Sequence, residues 1–322
     1  MDINYIVIFI VLIVLSIIYL KIADKFNIID KPNHRSSHTS PTIRGGGILF
    51  LLAILIYFFT SGFLYPYFVL GVSLIAIISF VDDIVTLSSN LRLPFQFLAI
   101  ALCLFQLGFT INEYLIIFPL LVFGVGFINV YNFMDGVNGI TGLYSIVVLL
   151  GLFFINMEEN IVDDDLIIYS LLSIIVFGFY NFRRKARMFA GDIGSISIAV
   201  LLFFIGTILI KELKSPVIIL FVAVYGTDAI LTIIYRKSIG ESLTQPHRHH
   251  IYQKLAHTFK LPHLKISIAY ALLQSILNII VFFSYKSSVV IQCVIVVLVA
   301  FVLASLYLYF FKADNKLQNL KI

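Results

Sequence analysis

Charge is scarce in this chain. Only 12% of its 322 residues are Asp, Glu, Lys or Arg, while 61% are hydrophobic. A soluble globular domain carries about 25% charged and about 45–50% apolar residues. The shortage therefore excludes a soluble protein and leaves a polytopic membrane protein, a single integral-membrane domain over 1–322. Cysteine is nearly missing as well. Cys103 and Cys293 both lie inside apolar runs, which argues against a disulfide framework and against a thiolate metal site. No basic leader precedes the first apolar run and no small-residue cleavage site follows it. Residues 4–20 thus read as a retained span rather than a removed signal peptide. Internal repeats and low-complexity segments are also lacking. The net charge of +5 is distributed as a membrane dictates, so no nucleic-acid partner is expected.

What the chain has instead is apolar runs. A helix needs about 20 apolar residues to cross the hydrocarbon core. Eleven runs qualify: 4–20, 46–60, 66–81, 94–110, 115–131, 141–156, 166–180, 194–210, 216–234, 266–283 and 288–311. The expected fold is an all-α polytopic membrane helix bundle of about 11 spans. Of the 22 Lys and Arg, 19 fall in the odd-numbered loops and the C-terminal tail. The positive-inside rule then puts those segments in the cytoplasm and the N-terminus outside. The acidic "MEENIVDDD" falls on the outer side and reads as a solvated face.

Five polar clusters interrupt the runs: "DKPNHRSSHTSPTIRGGG" (30–47), "VDD" (81–83), "NFMDGVNG" (132–139), "NFRRKARMFAGDIGS" (181–195) and "QPHRHHIYQKL" (245–255). All five lie on the face that Lys and Arg counting assigns to the cytoplasm, an assignment that used none of their acids, amides or histidines. Asp82 and Asp83 are adjacent, with no cation nearer downstream than Arg92. Asp82, Asp83, Asp135 and Asp192 repel one another when ionised, and a hard divalent cation offsets that repulsion. Mg²⁺ commonly sits between one or two carboxylates and substrate phosphates. Arg35, Arg44, His247, Arg248 and His250 are candidate phosphate donors. Carboxylates, a metal and basic groups are the parts of a phosphoryl-transfer site.

Blander readings stand beside these. The Asp pair can simply end a span. "GDIGS" can be a turn entering a helix, and "NFMDGVNG" a tight turn rich in Asn, Asp and Gly. "HRHH" has no accompanying cysteine and is weak evidence for zinc. Asp228 lies within the ninth run, and an intramembrane acid faces the bundle interior, as a functional group or as half of a structural pair.

Taken together, "RSSHTSPTIRGGG", "NFMDG", "FAGDIGS" and "HRHHIYQ" resemble the polyprenyl-phosphate N-acetylhexosamine-1-phosphate transferase family, over about residues 30–255. The resemblance implies transfer of HexNAc-1-phosphate from a UDP-HexNAc to undecaprenyl (polyprenyl) phosphate, with release of UMP and with Mg²⁺ or Mn²⁺ as cofactor. It implies a bacterial inner-membrane location with the site facing the cytoplasm, and it allows a homodimer. Residue by residue, Asp82 and Asp83 match the pair beside the acceptor phosphate, and Asp192 matches the metal ligand. Asn132 and Asp135 match the nucleotide-side motif. His247, Arg248 and His250 match the late His motif at the donor's diphosphate or sugar. Arg35, His38, Thr42 and Arg44 match the first-loop motif. Asn138 stands where much of the family has Asp, and Thr86 where many members carry a further acid. Asn181 lies one residue farther from Asp192 than is usual. "HRHH" replaces the triple His of the peptidoglycan branch. The pattern looks closer to the O-antigen-priming branch, whose donors are GlcNAc, QuiNAc or FucNAc sugars, than to the enzymes with a muramyl-pentapeptide donor. Asp228 is carried as a further substrate-side candidate.

The rival reading is a secondary transporter with an acidic site on its cytoplasmic side. Transporters place ionisable groups near the midplane, whereas here only Asp228 is intramembrane. The four-acid motif of the CDP-alcohol transferases is not found, and a scaffold role does not explain five polar clusters on one face.

Overall fold

The computed structural model describes residues 3–32, 40–242 and 248–319. Arg35, His38 and His247 lie outside the described residues. The helices are α1 (Ile3–Lys25), α2 (Ile48–Thr60), α3 (Pro66–Ile84), α4 (Ser89–Gln106), α5 (Tyr114–Met134) and α6 (Ile140–Glu159), followed by α7 (Asp164–Asn181), α8 (Gly191–Leu213), α9 (Ala223–Ser238), α10 (Ile251–His257), α11 (His263–Ser284) and α12 (Val289–Asn319). Two residue pairs, β1 (Ile29–Asp30) and β2 (Thr42–Ile43), form a short antiparallel ladder between α1 and α2. The protein is an all-α polytopic membrane bundle.

Each of the eleven apolar runs falls on helix. Among the described residues, nine helical segments are long and apolar enough to cross a membrane. The two runs that fall short have physical reasons. α2 has 13 residues, which at about 1.5 Å per residue is roughly 20 Å, less than the hydrocarbon core. The first two turns of α4 carry Asn90, Arg92 and Gln96, which dilute its hydropathy. The ninth run is also not one α-helix. Pro216 opens a 3-10 segment, Pro216–Val222, before α9 begins. Such a break exposes backbone groups that lipid cannot satisfy. Gln292 of α12 accepts from the Ser215 hydroxyl (2.9 Å) and the Val217 N–H (3.3 Å), and its amide donates to the Tyr285 carbonyl (2.9 Å).

α8 is the central helix. Its spanning window is 78% buried, and it packs on α2, α3, α5 and α6. α1 and α12 lie at the periphery, with large apolar side chains such as Ile3, Val297 and Phe301 exposed, as expected where lipid replaces protein as neighbour. α6 and α11 pack closely along their lengths. The consequence for the site is directional. The C-terminal ends of α3, α5 and α7 and the N-terminal ends of α2 and α8 meet at one end of the bundle, where the described parts of the polar clusters are found.

Candidate active site

The site begins with a close approach of backbone. In the first loop the Gly46 and Gly47 N–H groups donate to the carbonyls of Phe189 (2.8 Å) and Ala190 (2.9 Å), and Phe189 N–H donates to Ile43 (2.8 Å). This stitches "RGGG" onto "FAGDIGS". Only glycine permits it at two places. A Cβ on Gly47 would overlap the Gly194 Cα, and a Cβ on Gly191, whose φ is +72°, would overlap the Asp83 carboxylate.

The start of α8 carries unsatisfied N–H groups and the positive end of its dipole. Asp83 reaches it from the last turn of α3. Its Oδ1 accepts from the Asp192 N–H (2.9 Å) and its Oδ2 from the Ile193 N–H (3.1 Å). Arg44 Nε pairs with the same carboxylate at 2.7 Å, and Arg44 Nη2 reaches Asp192 Oδ1 at 3.3 Å. Asp82 turns the other way. Its Oδ1 accepts from the Leu87 N–H and its Oδ2 from Arg92 Nη1, both at 2.5 Å. That Arg92 nitrogen also lies 2.9 Å from Asp192 Oδ2. Asn132, at the end of α5, donates to Asp192 Oδ2 (3.3 Å) and accepts from the Ser195 hydroxyl (2.8 Å). An adjacent pair of acids and a third more than 100 residues away thus converge, their repulsion offset by two guanidinium groups.

The adjacent turn is built from "NFMDGVNG". Asp135 accepts from the Thr141 hydroxyl at 2.6 Å. Burial pushes its carboxyl up to about 6; the Thr141 bond pulls down and the Asp192 charge adds to the rise. Asn181 Oδ1 accepts from Gly139 N–H (2.7 Å) and its amide donates to the Met188 carbonyl (2.8 Å), so Asn181 ties this turn to the loop before α8. Asn138 donates to the carbonyls of Arg183 (3.0 Å) and Arg184 (3.3 Å). An Asp in its place would set an acceptor against two acceptors. Asn138→Asp is expected to destabilise the protein by about 2 kcal/mol, read as a lowered thermal midpoint in detergent; an unchanged midpoint would remove this account of the amide. Thr42 is buried in the β ladder, its hydroxyl donating to Ser40 O.

Asp228 is enclosed by protein. His250 Nδ1, the Ile251 N–H, Thr232 and Tyr270 all approach its carboxylate. Arg236, one turn-pair farther along α9, pairs with Glu241 instead. Arg248 is exposed and stands near His257, whose imidazole is held below its usual range by burial and by that cation. A cavity of about 690 Å³ is lined by Thr42, Asn138, Arg184, Lys185, Phe189 and His263 among others; Thr42 and Phe189 belong to the two segments stitched together at the start of α8.

The geometry therefore brings Arg44, Asp82, Asp83, Asn132 and Asp192 into one cluster and sets Asp135, Asn138 and Asn181 in the adjoining wall. Arg92 is the member that sequence reasoning passed over. Its signal was present: it is the lone cation of its loop, ten residues after Asp82. Ser195 and Thr141 carried no comparable signal.

Residues 65–210 match the family model described as glycosyl transferase family 4. The match runs from α3 into α8 and takes in every acid of the cluster. Over 275 residues it is 25% identical to a protein of Bacillus subtilis (strain 168) named probable undecaprenyl-phosphate N-acetylglucosaminyl 1-phosphate transferase, covering 78% of this chain and 76% of that one. It is 32% identical over 151 residues to a phospho-N-acetylmuramoyl-pentapeptide-transferase of Streptococcus gordonii, covering 45% and 44%. A protein of the same name from Streptococcus suis (strain 05ZYH33) is 25% identical over 260 residues, covering 69% and 77%. The chain thus spans about three quarters of the first and third relatives and under half of the second.

Proposed function

We propose that this chain transfers HexNAc-1-phosphate from a UDP-sugar to undecaprenyl phosphate. The observation that carries the reading is the convergence of Asp82, Asp83 and Asp192 with Arg44 and Arg92 at one end of a membrane bundle. A lipid acceptor requires a site at the membrane edge, and a diphosphate donor requires cations and acids together. The names of the relatives fall in the same reaction class.

In this reading an oxygen of the lipid phosphate attacks the donor's β-phosphorus. The bond from that phosphorus to the oxygen bridging it to the α-phosphorus breaks, and UMP departs with that oxygen. The lipid phosphate is largely ionised at pH 7, so positioning and charge neutralisation are the main demands on the protein. Asp83, with both oxygens occupied by α8 and Arg44, holds the turn that aims Asp192. Asp82 and Arg92 face the acceptor side. The nucleotide end of the donor occupies the 690 Å³ cavity, with Phe189 offering a ring to the base and Arg184 and Lys185 offering cations. His247, Arg248 and His250 are assigned to the diphosphate or sugar by their match to the late His motif, and Arg35 and His38 to substrate binding by their match to the first-loop motif.

Among the described residues no three His, Cys, Asp or Glu side chains form a ready-made metal site. The donor chemistry nonetheless suits Mg²⁺. One cationic nitrogen, Arg92 Nη1, already lies between Asp82 Oδ2 and Asp192 Oδ2, and Mg²⁺ takes one or two carboxylates with the remainder from phosphate and water. Asp192, with Asp82, would hold Mg²⁺ (or Mn²⁺), which supplies charge neutralisation at the diphosphate. The charge distribution supports a bacterial inner-membrane protein with this end in the cytoplasm. The small-sugar branch is favoured over a muramyl-pentapeptide donor by "HRHH" and "RGGG".

The test is UMP release by purified protein with undecaprenyl phosphate and Mg²⁺ across UDP-GlcNAc, UDP-QuiNAc, UDP-FucNAc and the muramyl-pentapeptide donor. Release with a small HexNAc, abolished by EDTA and restored by Mg²⁺, is expected. Release only with the muramyl donor would overturn the branch, and no release together with no binding of UMP would overturn the class.

A further inference from the structure

Asp228 is 4% exposed in the interior of the bundle, and the proposed chemistry does not use it directly. Its surroundings are specific. Tyr270 of α11 donates its hydroxyl to Oδ2 at 2.6 Å. The Ile251 N–H, at the start of α10, donates to Oδ1 at 3.1 Å. His250 Nδ1 lies 3.2 Å from the same oxygen, and the Thr232 hydroxyl 3.3 Å from it. An ionised carboxylate only accepts. The hydrogen of the His250–Asp228 bond therefore resides on Nδ1, and the chemistry left to the neutral ring lies at Nε2.

The ring is held from its other side as well. It stacks on Tyr252, centroids 5.6 Å apart and planes 20° apart. The Tyr252 hydroxyl donates to the Phe133 carbonyl at 2.9 Å, in the turn that carries Asn132 and Asp135. One ring is thus fastened to α9 and α11 through a carboxylate and to the nucleotide-side turn through an aromatic face. Mere attachment of α10 to the bundle needs only the Ile251 bond; it does not need a carboxylate on a ring nitrogen supported by a tyrosine.

We infer that Asp228 and Tyr270 are positioning residues that fix the tautomer and orientation of His250, so that it meets the donor through Nε2. This rests on the donor-side role proposed for His250. It moves Asp228 from the substrate to the support behind it, where orienting partners of working histidines are commonly found.

Two measurements test it. The first is a double-mutant cycle on UMP release. Asp228→Ala is expected to lower kcat by about 30-fold with KM for the UDP-sugar changed less than about twofold, and to add less than about twofold in a His250→Ala background. Asp228→Asn is expected to stay within about fivefold of the unaltered protein. Its Oδ1 still accepts from Nδ1–H and Ile251 N–H, and its amide can donate to the Tyr270 oxygen. Losses that multiply in the double variant, or an Asn variant as poor as Ala, would overturn the inference. The second measurement needs no turnover. In protein labelled with ¹⁵N-histidine, the His250 ring is assigned by its loss in His250→Ala and read in its neutral form. Hydrogen on Nδ1 is expected; hydrogen on Nε2 overturns the positioning claim. If the unaltered protein neither releases UMP with any donor nor binds UMP, the transferase reading falls by itself, and the tautomer still decides the role of Asp228.

Discussion

Replacing Asp192 by Asn is expected to lower turnover by on the order of 100-fold or more, the scale of losing one preorganised charge contact at a phosphoryl-transfer centre. The change is nearly isosteric. Asn132 sits beside it, and Arg92 keeps its pairing with Asp82 at 2.5 Å, so the bundle is expected to insert and keep its thermal midpoint within a few degrees. What disappears is the negative charge that Arg44 and Arg92 share and that the proposed Mg²⁺ would use. The residual activity should need more Mg²⁺ for half-maximal rate than the unaltered protein does. UMP release across a Mg²⁺ titration reads both quantities. Near wild-type turnover in purified Asp192→Asn would end the assignment of this carboxylate to the metal. Asp83→Asn is the instructive companion. It touches two backbone N–H groups and Arg44, and an amide can accept with only one of its two ends. Its loss should therefore combine lower activity with lower stability, where Asp192→Asn shows the first alone.

Gly47→Ala is expected to be among the most disruptive single-methyl additions in the protein. Gly47 has φ −68° and ψ −1°, so alanine meets no backbone strain there. The obstacle is contact: the added Cβ overlaps the Gly194 Cα and crowds the Ala190 carbonyl at 2.9 Å. Backbone cannot move aside as a side chain can. The cost should reach the upper end of overpacking effects, about 3 kcal/mol, and the first loop should separate from the α8 turn. Gly46→Ala is the control. The three atoms nearest its Cβ all belong to the Met188 side chain, which has rotatable bonds that backbone lacks, so its thermal midpoint should fall less. Equal effects of the two substitutions would show that the close approach of Gly47 to Gly194 is not what assembles the site.

Composition and pattern carry far in this protein. Apolar runs of span length can only become helices in lipid, because no other local structure satisfies its own backbone there. All eleven runs accordingly appear as helix. The charges that cannot enter lipid collect in loops, and so the polar clusters could be sorted to one face by counting Lys and Arg. What one-dimensional reading could not resolve is whether a run crosses, since that depends on helix length and on a break such as Pro216. Nor could it distinguish a carboxylate that meets substrate from one that holds a helix. Asp82 and Asp83 are neighbours with the same chemistry, yet one faces Arg92 and the other caps α8.

The sequence by itself determined the class of environment and the helical architecture, and it singled out most of the polar side chains that the fold gathers. Each of these follows from transfer free energies and chemical type, which are properties of residues. Tertiary structure alone decided which groups share a charge, which amides are consumed by the scaffold, and which acid stands behind a histidine. Arg92 reaching back to Asp82 and across to Asp192, Asn181 spent on Gly139 and Met188, and Asp228 enclosed by His250, Ile251 and Tyr270 all depend on partners from other helices. Electrostatic and hydrogen-bond roles are set by distance and by which lone pairs are already taken, and no residue carries that information until the helices have packed.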